Sequence, residues 1–115
     1  MIETHLLDKS YASLDLISHK LEQYGKEKAY ANLYDSLVAY VGEVIKLRVQ
    51  GTWVINTTHT GGSYPFVDAL GVQYMPINAV WSAIHGIDKI NLRSETTKIV
   101  RENGWLLNLA RGTSE

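Results

Sequence analysis

Apolar residues recur at three- and four-residue steps through the first half of the chain, which predicts two amphipathic helices. The first lies within residues 1–24, and its apolar positions are Leu7, Tyr11, Leu14, Ile17, Leu21 and Tyr24. Thr4 or Asp8 is expected to cap its start, and Gly25 to end it. Because the turn at Gly25 and Lys26 is short, we expect the second helix to return antiparallel along the first.

The second helix carries a wider apolar face than the first. This face contains Tyr30, Leu33, Tyr34, Leu37, Val38, Tyr40, Val41, Val44, Ile45, Leu47, Arg48 and Val49. It covers roughly 200° of the helix circumference, whereas burying a single stripe needs about 100°. We therefore expect this helix to pack on two neighbours, another helix and a sheet. The side expected to face water carries Asn32, Asp35, Ser36, Glu43, Lys46 and Gln50. Gly51 is expected to end the helix, since the position past the last turn often has a positive φ angle.

Beyond Gly51 the spacing of apolar residues changes from the helical step to alternation, which is typical of strands. Short strands are predicted over residues 52–58, 64–68 and 72–75. Pro65 cannot donate a hydrogen bond to a neighbouring strand, so it should lie at an edge or at a strand start. Leu70 and Gly71 form the predicted second turn. Short connections of this kind indicate an antiparallel meander.

Two further helices are predicted after the strands. Pro76 suits the first position of one helix, where a missing N–H costs nothing. Its apolar stripe consists of Ile77, Val80, Trp81 and Ile84, and Gly86 should end it. Ser94 is the predicted N-cap of a helix over residues 95–103, which the pair Asn103–Gly104 should stop. The pattern as a whole predicts one α+β domain over residues 1–115, in which an antiparallel helical hairpin packs on about three antiparallel strands, with helices at the C-terminal end.

Composition narrows the class of protein. Of the 115 residues, 45% are hydrophobic and 20% are charged, which is the balance of a folded domain. There is no cysteine, so disulfides and thiolate metal sites are excluded. No apolar run reaches the roughly 18 residues of a membrane span, and we expect a cytoplasmic protein without a membrane partner. The formal net charge of −1 argues against broad nucleic-acid binding, which needs a clustered positive surface.

Motifs for catalysis or for metal binding are not recognisable. His5, His19, His59 and His85 lack the spacing of a helical zinc site, and no GxSxG serine motif is present. We therefore predict no catalytic residue, no metal and no cofactor. Glu43 is expected on the solvated face of the second helix, in an ion pair with Lys46.

A loop rich in glycine and hydroxyl groups offers an alternative function. It spans residues 57–63 and includes His59, Thr60, Gly61 and Gly62, with Tyr64 directly after it. Backbone amides in such a loop can bind an anion, so the alternative is a small-molecule or anion-binding protein. A hairpin turn explains the same glycines more simply.

Aromatic residues are the most distinctive feature of the composition, with three tryptophans and seven tyrosines. Both residue types are common anchors of protein interfaces. We expect Trp53 and Trp81 to fill the core. Tyr40, at the rim of the wide helix face, and Trp105, beyond the predicted helix stop, are the better candidates for a partner-facing surface. The leading hypothesis is therefore a non-enzymatic protein that binds another protein, and a homodimer is a further possibility.

A third hypothesis is a DNA-binding regulator. Residues 79–101 suggest a helix-turn-helix, with Arg93, Lys98 and Arg101 near its second helix. The connector over residues 86–93 is longer than the usual three- or four-residue turn, which ranks this hypothesis below the other two.

Several short motifs are similar to those of a family of small bacterial α+β domains of uncharacterised function. The similarity covers about residues 30–87, as YVGEVI, GTWVI and MPINAVWSAIHG, and its main positions are Gly42, Glu43, Gly51, Trp53 and Pro76. Some members of that group resemble immunity proteins, which neutralise toxins delivered by neighbouring bacteria. The resemblance implies a toxin as the protein partner and carries no catalytic residues.

Overall fold

In a computed structural model, the described part of the chain forms four helices and three strands with the α+β architecture that the sequence predicts. The structure describes residues 7–54 and 65–111, and it describes side chains up to residue 102. In chain order the elements are α1 (Tyr11–Tyr24), α2 (Lys26–Val49), β1 (Thr52–Val54), β2 (Phe66–Ala69), β3 (Val72–Tyr74), α3 (Pro76–His85) and α4 (Leu92–Arg111).

The helical hairpin is confirmed, with a different cap on α1. The N-cap is Ser10, whose side chain accepts a hydrogen bond from Ser13 N at 3.2 Å. Asp8 supports this cap from outside the helix, since its Oδ1 accepts from the Ser10 backbone N–H at 3.1 Å. The prediction of Thr4 or Asp8 as the cap is therefore wrong for Asp8, and Thr4 lies outside the described residues. Gly25 ends α1 with a φ angle of 106°, as expected of a glycine stop.

The end of α2 corrects the role expected of Gly51. The left-handed residue is Gln50, with φ 54° and ψ 47°. Gly51 is required for close approach instead, because a Cβ there would lie 2.7 Å from both the Asp68 carbonyl oxygen and Val67 Cγ1. The glycine thus lets the chain turn directly against β2.

The sheet is an antiparallel meander in the order β1-β2-β3. Trp53 pairs with Val67, and Val67 pairs with Tyr74, so β2 lies in the centre. Leu70 and Gly71 both have positive φ angles, 54° and 86°, which is the geometry of a two-residue type I′ hairpin. Pro65 immediately precedes β2, as predicted. Of the predicted first strand, residues 55–58 lie outside the described part.

The last two helices agree with the prediction at α3 and differ at α4. Pro76 opens α3, and Gly86 follows its last residue. The start of α4 is three residues earlier than predicted, because Asn91, rather than Ser94, accepts the capping hydrogen bond, from Ser94 N at 2.9 Å. The helix also continues through Gly104 to Arg111. A glycine inside a helix costs about 1 kcal/mol, which apolar residues at helical spacing on both sides can offset.

The core is organised around α2, which contacts α1, α3, α4 and β2. Val41, Val44 and Ile45 are fully buried on it. This confirms that the wide apolar face packs on both helices and sheet. Three residues predicted on this face are exposed instead: Tyr30 at 46%, Leu47 at 56%, and Arg48.

Candidate functional site

Three aromatic rings cluster on the outer surface where α2 and α3 meet. Tyr30 on α2 lies 4.9 Å from His85 and 6.3 Å from Trp81, both on α3, with edge-to-face geometry. Trp81 and His85 contact each other at 3.8 Å between ring centroids. Trp81 is 51% exposed, and Tyr30 and His85 are also exposed. We call Tyr30, Trp81 and His85 the aromatic patch.

The exposure of Trp81 overturns the prediction that it fills the core. The side chains that α3 buries are Pro76, Ala79, Val80, Ala83 and Ile84. At about 100° per residue, the centre of this set lies about 130° from Trp81. Ala79 and Ala83 are the signal in the sequence that indicates the buried face of α3. A face inferred from the large apolar residues alone is shifted toward Trp81. Small residues permit close helix packing, and they belong in such an inference.

An open groove runs beside the aromatic patch between α2 and α3, with a volume of about 910 Å³. Tyr30, Tyr34 and Trp81 contribute rings to its lining, and Asp35 contributes a carboxylate. A smaller adjoining groove of about 320 Å³ shares Tyr34 and Asp35 with the first. The surface therefore combines rings and a carboxylate in a concave shape.

The rings hold one another in place. Tyr30 lies in edge-to-face contact with Tyr34, one helical turn further along α2, at 5.1 Å. Trp81 and His85 are likewise one turn apart on α3. Rings fixed in this way lose little further side-chain freedom when a partner covers them, which lowers the entropic cost of binding.

Apart from the aromatic patch, Glu43 is the centre of a polar cluster that the helical pattern did not reveal. Its Oε2 accepts a hydrogen bond from Trp53 Nε1 at 2.5 Å, and its Oε1 accepts from Lys9 Nζ at 3.2 Å. The predicted pair with Lys46 is confirmed at 3.6 Å. The solvated position expected for Glu43 is wrong, since only 27% of the side chain is exposed. Trp53 and Lys9 come from other elements, so spacing along α2 could not find them.

The chemistry of Glu43 is that of a structural ion. The hydrogen bond from Trp53 holds the pKa of the carboxyl below its ordinary value, and Lys9 and Lys46 add to the shift against the opposing effect of burial. A general acid or base at neutral pH needs a pKa near 7, so this shift has the wrong direction for proton transfer. The carboxylate instead ties α2 to β1 and to the segment before α1.

Only one predicted binding residue has a described side chain. Tyr40 is half-buried; its hydroxyl accepts from Lys9 N at 2.9 Å and lies 2.7 Å from Ser13 Oγ. The predicted residues of the loop and its flank lie outside the described residues: His59, Thr60, Gly61, Gly62 and Tyr64. Trp105 belongs to α4, and its side chain is outside the described part. Of the predicted binding residues with a described side chain, Tyr40 is not a member of the aromatic patch.

Comparisons with protein-family models, with curated proteins and with solved structures find no match. Within the described ranges, no group of three or more His, Asp or Glu side chains is placed to hold a metal ion. None of the helices in the same ranges is long and apolar enough to cross a membrane. The geometry of the surface is therefore the basis on which a function can be argued.

Proposed function

We propose that this protein is a non-enzymatic, cytoplasmic bacterial protein that binds another protein through the aromatic patch. The observation that carries the proposal is the exposure of Trp81 and Tyr30 in a mutually packed cluster. Tryptophan and tyrosine are enriched among the few interface residues that dominate binding energy. A half-exposed tryptophan in water leaves apolar area that a partner can cover.

The groove beside the patch supports the same proposal. Protein interfaces place large anchors next to concave surface, so that a partner side chain can enter while the anchor is covered. Here Tyr34 and Ile77 continue the apolar surface of the patch into the groove. Asn78 lies at the same wall and supplies an amide for a polar contact at the rim.

The partner we propose is a toxin, which the protein neutralises by direct binding. The proposal of this partner rests on the resemblance of short motifs within residues 30–87 to those of a group with immunity-like members. Neutralisation by binding requires a rigid surface and no reacting group.

The experiment is a growth assay with the product of the gene adjacent to that of this protein. Expression of the neighbour alone should stop growth, and co-expression of the wild-type chain should restore it. A variant carrying Tyr30→Ser and Trp81→Ser should fail to restore growth. The matched control is Leu16→Ser on α1, where the leucine is 40% exposed but lies outside the patch.

Two results would contradict the proposal. One is full rescue by the double variant at equal protein level, which would place any binding surface elsewhere. The other is a harmless neighbour that does not bind the purified chain. Circular dichroism of each variant must match the wild type, so that loss of rescue reports binding and not unfolding.

A further inference from the structure

The grooves beside the aromatic patch have an unbalanced charge. Among the residues that the structure describes, Asp35 is the only charged residue that lines either groove. Asp35 is exposed. At about 100° per residue, Glu27 projects about 80° around α2 from Asp35, and Lys28 projects about 20° from it. The sequence of α3, which forms the facing wall, contains no lysine, arginine, aspartate or glutamate.

Two lysines near the start of α2 are directed toward other groups. Lys26 Nζ donates to the carbonyl oxygens of Gly86 and Asp88, each at 2.6 Å. Lys28 Nζ lies over the ring of Tyr24, 5.8 Å from its centroid. Neither ammonium group is held by Asp35. The carboxylate in the groove is thus available to a cation from outside.

Aromatic rings next to a carboxylate are the surroundings that bind organic cations. The faces of tryptophan and tyrosine attract a cation, and tryptophan does so most strongly. A guanidinium can stack on a ring while it donates two hydrogen bonds to one carboxylate, which an ammonium cannot do. Tyr30, Tyr34 and Trp81 line the groove together with Asp35, so both contacts are offered in one place.

From this juxtaposition we infer that the groove takes an exposed arginine of the partner protein. The guanidinium pairs with Asp35 and stacks on the rings of Tyr30 or Trp81. This inference rests on the proposed function and specifies the chemistry of the partner. It assigns recognition of charge to Asp35, while the patch supplies the apolar contact area.

The test is a titration of the isotope-labelled protein, followed by nuclear magnetic resonance, with two blocked tripeptides. One is glycine-arginine-glycine, and the other replaces arginine by citrulline, which has nearly the same shape and no charge. The arginine peptide should move the indole N–H signal of Trp81 and the amide signals of Asp35 and Asn78. Its affinity should fall about threefold in Asp35→Asn, the size of an exposed ion pair. The citrulline peptide should bind more weakly and be insensitive to that substitution.

The control variant is Asp15→Asn on α1, which removes an exposed carboxylate far along the chain from the groove. It should leave the titration unchanged. Equal affinity for both peptides, or no effect of Asp35→Asn, would overturn the inference and leave a groove that binds neutral groups. A second copy of this chain is the other possible source of the arginine, and sedimentation equilibrium tests it. Self-association that Asp35→Asn abolishes would place an arginine of a second copy in the groove, and would also overturn the inference of a partner protein.

These outcomes separate the inference from the proposed function. If the arginine peptide does not bind and the Tyr30 and Trp81 variant does not restore growth, only the inferred recognition of charge is wrong. If the arginine peptide binds and that variant fully restores growth, only the proposed role of the aromatic patch in toxin binding is wrong.

Discussion

Substitution of Gly42 by alanine sets two effects of similar size against each other. Gly42 lies within α2, where alanine is favoured over glycine by about 1 kcal/mol. The six-membered ring of Trp53 packs on this glycine, and an added Cβ would lie 1.9 Å from Trp53 Cη2 and 2.3 Å from Cζ2. Atoms cannot approach so closely, so the ring has to move.

The cost of moving the ring follows from what holds it. Trp53 Nε1 donates to the Glu43 carboxylate, and a hydrogen bond to a charged group contributes about 1.5–3 kcal/mol. A ring displaced by the new methyl group loses that bond. Subtracting the helix-propensity gain, we expect Gly42→Ala to lower the free energy of unfolding by about 1 kcal/mol.

A double-mutant cycle separates the two effects. In Trp53→Phe the shorter ring leaves space beside Gly42 and the indole hydrogen bond is already absent. In that background Gly42→Ala should raise the free energy of unfolding by up to about 1 kcal/mol, which gives a coupling near 2 kcal/mol. Urea unfolding followed by far-ultraviolet circular dichroism measures both, because it reports helix content in the presence and absence of Trp53.

Ala39→Gly, at an exposed position one turn earlier on α2, is the control for helix propensity and should cost about 1 kcal/mol. Stabilisation by Gly42→Ala in the wild-type background would refute the reasoning. It would mean that the indole does not rest on Gly42 or that nothing restrains it.

Four other substitutions test the polar contacts. Because the pKa of Glu43 is lowered in the folded protein, its carboxylate stabilises the fold above the ordinary pKa of 4.5, and this stabilisation is lost as the pH falls through the folded-state pKa. In urea unfolding, Glu43→Gln should therefore reduce the loss of stability at acid pH. An unchanged pH profile would count against the hydrogen bond between Glu43 and Trp53. Asn91→Ala should lower the free energy of unfolding by about 1 kcal/mol, and Ser94→Ala by only a few tenths of that. The reverse order in thermal unfolding would identify Ser94 as the N-cap of α4. Ser18→Ala should cost about 1–3 kcal/mol because it leaves the buried Leu92 N–H without its acceptor, and hydrogen exchange at that amide should become faster.

Local pattern was sufficient for most of the elements. The helical hairpin, the Leu70–Gly71 turn and the start of α3 at Pro76 each depend on residues next to one another in the chain. Their stabilising features are a glycine at positive φ, a type I′ turn and a proline at the first helical position. Such features act over a few residues, so the sequence displays them directly.

The start of α4 depends on distant contacts. Asn91 and Ser94 are both good N-cap residues, and local preference does not separate them. The choice is made by α1, where Ser18 Oγ accepts from Leu92 N at 2.9 Å and Glu22 Oε2 accepts from Ile90 N at 2.6 Å. These bonds fix the chain before the helix, and spacing within residues 86–95 does not reveal them.

The candidate site was missed for a related reason. Local pattern selects Tyr40, at the rim of the wide helix face, and Trp105, beyond a predicted helix stop, as partner-facing residues. The aromatic patch exists because α3 buries its alanine side against the core and turns Trp81 toward Tyr30 on α2. Which side of α3 is buried depends on how closely it packs, and that is a property of the pair of helices.

The most direct measurement is the dissociation constant for the purified product of the adjacent gene, which the proposal takes to be a toxin, by titration calorimetry with the wild-type chain and with Trp81→Ser. Truncating a residue that dominates an interface costs at least about 2 kcal/mol, so affinity should fall about thirtyfold. The unfolding free energy of Trp81→Ser must be measured alongside, because about half of the ring is buried and its loss also lowers stability. An unchanged dissociation constant, with Leu16→Ser giving the same value, would contradict the assignment of binding to the aromatic patch.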